Sequence, residues 1–245
     1  MRAAARAPVL TPVLALALAL AGPAAAQGIA EARYTEPTER YAHAVLGDAV
    51  EHGALTVRLT DGSRQTARLD AALVFEDTAP RLHDLDGDGH WEVVAVESHQ
   101  SEGARLAVWG LEGGRLARLA ATPHIGTRYR WLAPVGAADL DGDGAMEIAY
   151  IDRPHLARVL RVWRYDAARR ALAEVAAAEG HTNHRIGERD IAGGIRDCGT
   201  GPELITARAD WARLLATRLE DGRLLSRDIG AHSGRDSFTA ALACR

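Results

Sequence analysis

The sequence predicts an all-β fold, a small β-propeller of about four four-stranded blades, on three observations. The motif Asp-Leu-Asp-Gly-Asp-Gly occurs at Asp84–Gly89 and again at Asp139–Gly144. Each copy runs into a short apolar stretch and then a hairpin-like segment, with Val108-Trp109 and Val162-Trp163 at matching places. Through these stretches the hydrophobic period is 2 and not 3.6, the alternation expected of strands. Repeats of roughly 40–50 residues with four short strands each are the signature of radially arranged blades.

The first element is an expected export signal over residues 1–26. Arg2 and Arg6 precede an apolar run from Val9 to Ala21, and small residues follow at Pro23 to Ala26. That order predicts cleavage between Ala26 and Gln27 and a periplasmic or secreted destination. The run falls short of the ~18 apolar residues of a membrane span, and no later stretch reaches that length. Residues 27–245 are then one domain, large enough to bury a substantial core. The net charge of −4, near −6 without Arg2 and Arg6, excludes a nucleic-acid partner.

Self-comparison extends the repeat to four units, approximately residues 45–80, 81–135, 136–193 and 194–245. The hairpins beginning at Leu106 and Leu160 recur at Leu55 and Leu214, with Asp61-Gly62 and Asp221-Gly222 at the turns. Glycine there accepts the positive φ of a tight hairpin. In the last unit Asp197 and Glu203 align with Asp141 and Glu147, while the first unit keeps only Asp48 and Gly53. A fifth blade could be assembled from the segment after Ile229 and the stretch before Leu46, so that the chain ends would close the ring. No amphipathic helix is expected after the signal. Asp166–Gly180 is rich in helix formers, yet its place in the repeat makes it a strand.

The twin loops carry the chemistry. Asp84, Asp86 and Asp88 stand at offsets 1, 3 and 5, His90 at 7 and Glu92 at 9. Asp139, Asp141, Asp143, Ala145 and Glu147 repeat the spacing. A curled backbone turns offsets 1, 3 and 5 toward one centre, and offset 7 supplies a carbonyl from His90 or Ala145. Oxygen ligands of this kind and number suit Ca²⁺, so two calcium sites are expected. Crowded carboxylates repel one another unless a cation lies among them. Magnesium prefers a smaller, wetter shell, and zinc or copper would want imidazole or thiolate. Asp61-Gly62 and Asp221-Gly222, which lack the spacing, read as ordinary turns. An EF-hand fails at offset 12, where Ala95 and Tyr150 replace the bidentate glutamate.

The runs "DLDGDGHWEVV" and "DLDGDGAMEIAY" resemble the FG-GAP or VCBS-type repeats of the integrin α-subunit propeller and of many bacterial secreted proteins. The resemblance implies a calcium loop between strands of a blade, strongly in two units and weakly in two. Integrin-type propellers have seven blades, so the shorter chain and its two degenerate loops depart from that pattern in blade number and ring closure.

Cys198 and Cys244 are an even pair in a chain expected to be exported, so a disulfide is expected. Closing that loop would stabilise by about 4 kcal/mol in the chain-entropy treatment. No Gly-x-Ser-x-Gly elbow, His-Glu-x-x-His or phosphate-binding glycine loop occurs. His181, His184, His232 and Ser233 form no such motif, and the expectation is a non-enzyme. Trp109 and Trp163 read as packing residues. Trp131, flanked by Arg128 and Arg130, is the candidate interaction surface, with an arginine-protected edge strand as the plainer reading.

Together these readings describe an exported, monomeric, calcium-binding propeller acting on a protein or carbohydrate partner. Two other readings stay open: a periplasmic calcium-dependent hydrolase of anionic, phosphate-ester-like substrates, and a structural accessory of an envelope assembly.

Overall fold

The computed structural model describes residues 27–245; the expected signal segment lies outside the described residues. Seventeen strands form three antiparallel sheets, with one helix near the C-terminal end. The first sheet holds β1 (Ile29–Thr38), β2 (Glu51–Leu59), β3 (Arg64–Arg68), β4 (Leu73–Phe75), β5 (Arg81–His83), β6 (Glu92–His99), β7 (Gly103–Glu112) and β8 (Arg115–Ala121). The second holds β9 (Leu132–Ala138), β10 (Glu147–Asp152), β11 (Val159–Asp166) and β12 (Ala171–Glu179). The third holds β13 (His181–Thr182), β14 (Gly194–Asp197), β15 (Pro202–Arg208), β16 (Arg213–Glu220) and β17 (Arg223–Ala231). Helix α1 spans Arg235–Leu242.

One meander recurs: a first strand, an acidic loop, a buried strand and a hairpin. It is β5–β8, then β9–β12, then β14–β17. The Val-Trp places match in three dimensions. Trp109 sits opposite Val93 and Trp163 opposite Ile148, and the register slips beside each, at Val108/Trp109 and at Val162/Trp163. A one-residue slip of this kind bends the strand and sharpens its twist. Asp166–Gly180, despite its alanines, closes β11 and forms β12, as its place in the repeat requires.

Burial follows from how the sheets stack. Along β6, Val93 and Ala95 face Leu55, Val57 and Phe75, whereas Val94 and Val96 face Leu132, Ile148 and Tyr150. A strand whose two faces enter two cores is buried throughout, and β6 is buried at every residue but its last. Ala149, Ile151, Leu160 and Val162 pack in turn against Leu204 and Leu219 of the third sheet. One face of β6 thus packs on other strands of its own sheet and the other on the second sheet, which in turn packs on the third, each buried aliphatic side chain contributing roughly 1.5–3 kcal/mol.

The ends depart from the sequence reading. The hairpin of the first unit gains its partner from β1, which begins at Ile29, upstream of residue 45. The segment after Ile229 does not supply strands for a fifth blade: it ends β17 and then forms α1, which sequence periodicity did not predict. Phe238 and Ala241 of α1 pack on Ile205, Ala207 and Leu214. The helix therefore covers the face where another sheet would lie. Among the described residues no hydrophobic cluster joins α1 or β17 to β1, so the chain ends do not meet in one sheet as expected. The first and second units are also linked, because β4 pairs with both β2 and β6.

Candidate metal centre

The loop between β5 and β6 is built by its own aspartates. Asp84 accepts hydrogen bonds from the Gly87 and Gly89 amides, at 2.8 and 3.1 Å. Asp86 accepts from the Asp88 amide at 3.3 Å, and Asp88 from the His90 amide at 2.8 Å. Glu92 reaches back across the loop to the amide of buried Leu85, at 2.8 Å. Such short polar side chains bonding their own backbone are what curl a loop. Gly87 and Gly89 take φ of 74° and 84°, where a side chain would strain.

The loop between β9 and β10 repeats every one of these bonds. Asp139 accepts from Gly142 and Gly144 at 2.8 and 3.0 Å, Asp141 from Asp143 at 3.3 Å, Asp143 from Ala145 at 2.9 Å, and Glu147 from Leu140 at 2.9 Å. Two triads result: Asp84, Asp86 and Glu92, and Asp139, Asp141 and Glu147, each with carboxylate oxygens within 4.8 Å of one another. Asp88 and Asp143 stand outside these triads; Asp88 accepts from the His90 amide and Asp143 from the Ala145 amide. Three hard carboxylates around a glycine-curled backbone suit a calcium ion.

The two loops differ in charge. Arg164 of β11 faces Glu147 across the strand pair and bonds Glu147, Asp141 and Asp143 at 2.6, 2.7 and 2.8 Å. Around Glu92 the corresponding place, after the Val-Trp pair, is Gly110, where an added Cβ would lie 3.5 Å from Glu92 Cγ. No arginine reaches Glu92 among the described residues. Burial pushes the Glu92 carboxyl up to about 7, and the aspartates beside it push the same way. Glu147 is also raised by burial, with Arg164 and the Leu140 amide opposing.

The last unit completes the series. Asp197 keeps the curl, accepting from the Gly199 and Gly201 amides at 2.8 and 3.1 Å. Cys198, in that loop, is bonded to Cys244. Glu203, the counterpart of Glu92 and Glu147, is met by Arg196, Arg218 and Arg227 at 2.9, 3.3 and 2.8 Å. Against the raising effect of burial, Arg227 and Arg196 hold it below the usual carboxylate range. Glu92 thus has no protein cation, Glu147 has one and Glu203 has three. Sequence reasoning missed these arginines; for Arg164 the signal was there, since aligning "VWRYD" with "VWGLE" puts it under Gly110.

The other sequence-singled residues lie elsewhere. β9 runs from Leu132 toward Asp139, so Trp131 sits at the end of the sheet opposite the acidic loops. Trp131 is not an exposed surface residue: it is 2% exposed and its Nε1 donates to the Glu76 carbonyl at 2.8 Å. Arg128 lies over the rings of Tyr129 and Tyr41, at 4.5 and 5.7 Å. Arg130 lines a cavity with Trp131. Trp109 is buried and donates to Glu97, and Trp163 donates to Tyr150.

Comparison with known proteins gives one family. The FG-GAP-like repeat matches residues 84–150, from the first aspartate of the first loop to the strand after the second. No curated protein matches the chain. Among solved structures, that of the major Malassezia sympodialis allergen Mala s 1 aligns over 86% of this chain and 83% of its own, at 12% identity and a TM-score of 0.34, too low to carry an argument. Residues 84–150 are thus similar to the FG-GAP-like repeat, and the matched stretch spans both acidic loops.

Proposed function

We propose that the protein is an exported, calcium-stabilised scaffold of propeller type that serves as a binding module. The observation that carries this is the uncompensated triad of Asp84, Asp86 and Glu92, held in a loop whose backbone bonds leave no cation of its own. A bound calcium ion would supply the missing positive charge and fix the turn between β5 and β6. Asp84, Asp86 and Glu92 would hold it in the first loop, and Asp139, Asp141 and Glu147 in the second, with Arg164 competing there. The propeller reading rests on three repeated meanders stacked face on face. Export rests on the Arg2-to-Ala26 segment and agrees with the Cys198–Cys244 disulfide.

Thermal melting of the purified protein with calcium and with chelator tests the reading. An ion bound only by the folded state raises stability by RT ln(1 + [L]/Kd), about 2.7 kcal/mol at a hundredfold excess over Kd. The midpoint is expected to fall by several degrees on chelation, and Asp86→Ala is expected to remove most of that difference. An unchanged midpoint, with no calcium retained by the protein after dialysis, overturns it.

A further inference from the structure

The end of the sheets opposite the acidic loops contains a cavity of about 380 Å³. That volume lies in the range of small-ligand pockets, roughly 300–1,000 Å³. Its walls are aromatic. Tyr129 stacks on His43 with ring centroids 4.9 Å apart, and Trp131 stacks on His155 at 6.3 Å. Leu156 and Ile186 line it at 60% and 72% exposure, the two most exposed large apolar side chains among the described residues. Apolar groups left open at a rim mark contact with something other than water.

The backbone around the cavity is held in costly conformations. Ala44, Tyr129 and Arg153 have φ of 57°, 59° and 48°. The left-handed region is unfavourable for residues with a side chain, above all a bulky one, and such strain gathers at ligand clamps. It persists here because Tyr129 is pinned: its amide donates to the Tyr41 hydroxyl at 2.9 Å.

The polar groups assign a charge to the ligand. Glu76, fully buried, is engaged by His43 at 2.5 Å and by the Ser98 hydroxyl, so it offers no free anion to the cavity. The His184 Nε2 must donate to the Glu188 carbonyl, at 2.9 Å. Its Nδ1 is then an acceptor, so His155 Nε2 donates to it at 3.0 Å and the His155 ring keeps Nδ1 as a neutral lone pair. Burial, with His184 beside it, lowers His155 to about 4, which agrees with a neutral ring. Arg153 is held by both oxygens of Asp152. Arg130, unlike the other lining arginine, Arg153, meets no carboxylate; the one protein hydrogen bond of its guanidinium is to the Tyr129 carbonyl, at 3.5 Å.

We propose that this cavity binds a small aromatic carboxylate, its ring against Tyr129, Leu156 and Ile186 and its carboxylate on the Arg130 guanidinium. A planar fork of donors matches a carboxylate in two parallel hydrogen bonds, which a neutral ligand cannot form. The site gives the binding module its ligand class and does not depend on calcium at the acidic loops.

Isothermal titration of the calcium-saturated protein with benzoate, 4-hydroxybenzoate and indole-3-carboxylate tests it. At least one probe is expected to bind with Kd below about 1 mM. Arg130→Ala is expected to weaken that probe by at least tenfold while leaving its neutral alcohol analogue and the melting midpoint unchanged. Ile186→Ala, at the exposed rim, is expected to weaken acid and alcohol alike by severalfold. Absence of binding by all three probes, or Arg130→Ala binding them as the native protein does, overturns the proposal. Loss of the calcium-dependent midpoint shift would leave these titrations unaffected, so the two readings fail separately.

Discussion

Arg164 stands directly across β10 and β11 from Glu147, with its Nε 2.6 Å from the glutamate and the rest of its guanidinium on Asp141 and Asp143. The side chain is a tethered cation beside a loop whose side-chain-to-backbone hydrogen bonds match those of the one that leads to Glu92. A soluble ion must displace it to bind there.

Calcium is therefore expected to bind the two loops unequally. Titration calorimetry should resolve a tighter site, lost in Asp86→Ala, and a second at least tenfold weaker. Arg164→Ala should strengthen the weaker site and, in chelator, lower the melting midpoint, since Glu147 then loses its neutralising partner in a buried place. Equal sites in the native protein, or no gain on removing Arg164, would refute the competition.

Glu51, 3% exposed at the start of β2, is pushed up to about 9 by burial and by Glu76, Asp48 and Asp77 nearby. The folded protein then keeps a proton that the unfolded chain releases near 4.5. Stability should fall as pH rises between those values, with a slope set by one extra proton bound in the native state. Glu51→Gln removes this contribution. Its midpoint should match the native protein at pH 4 and exceed it by about 10 °C or more at pH 8, an advantage on the order of 5 kcal/mol before relaxation. Parallel midpoints across that range would show that Glu51 titrates normally.

The Cys198–Cys244 bond closes a loop of 46 positions. Chain entropy assigns it about 4 kcal/mol, and in a domain of this size each kcal/mol moves the midpoint by roughly 2–4 °C. Replacing both cysteines by serine should therefore lower the midpoint by about 10 °C without changing calcium affinity at the first loop. A change under about 2 °C would mean that α1 stays docked without the bond.

Much of this was legible in the residues, for a physical reason. The strands were visible because period-2 runs repeat beside glycine turns, and the loops because aspartates at alternate offsets bond the backbone wherever they occur. Asp166–Gly180 shows repeat position overruling helix propensity. Helix α1 was not visible: eight residues with only Phe238 and Ala241 buried give too short a stripe to register as a period. Spacing grouped Asp88 and Asp143 with the other carboxylates, whereas the closest carboxylate clusters are Asp84, Asp86 and Glu92 and Asp139, Asp141 and Glu147, because spacing alone does not fix which way a side chain points. Trp131 was read as a candidate surface residue, but exposure cannot be read from a sequence, and its side chain is buried.

The covering of Ile205, Ala207 and Leu214 by α1 also bears on where the stacking of sheets stops. The second sheet lies between the first and the third, one face on each. A short helix, fastened to the loop beneath it by a covalent bond, occupies the remaining face of the third. It caps that face, so the sheet-on-sheet packing within the molecule ends at α1.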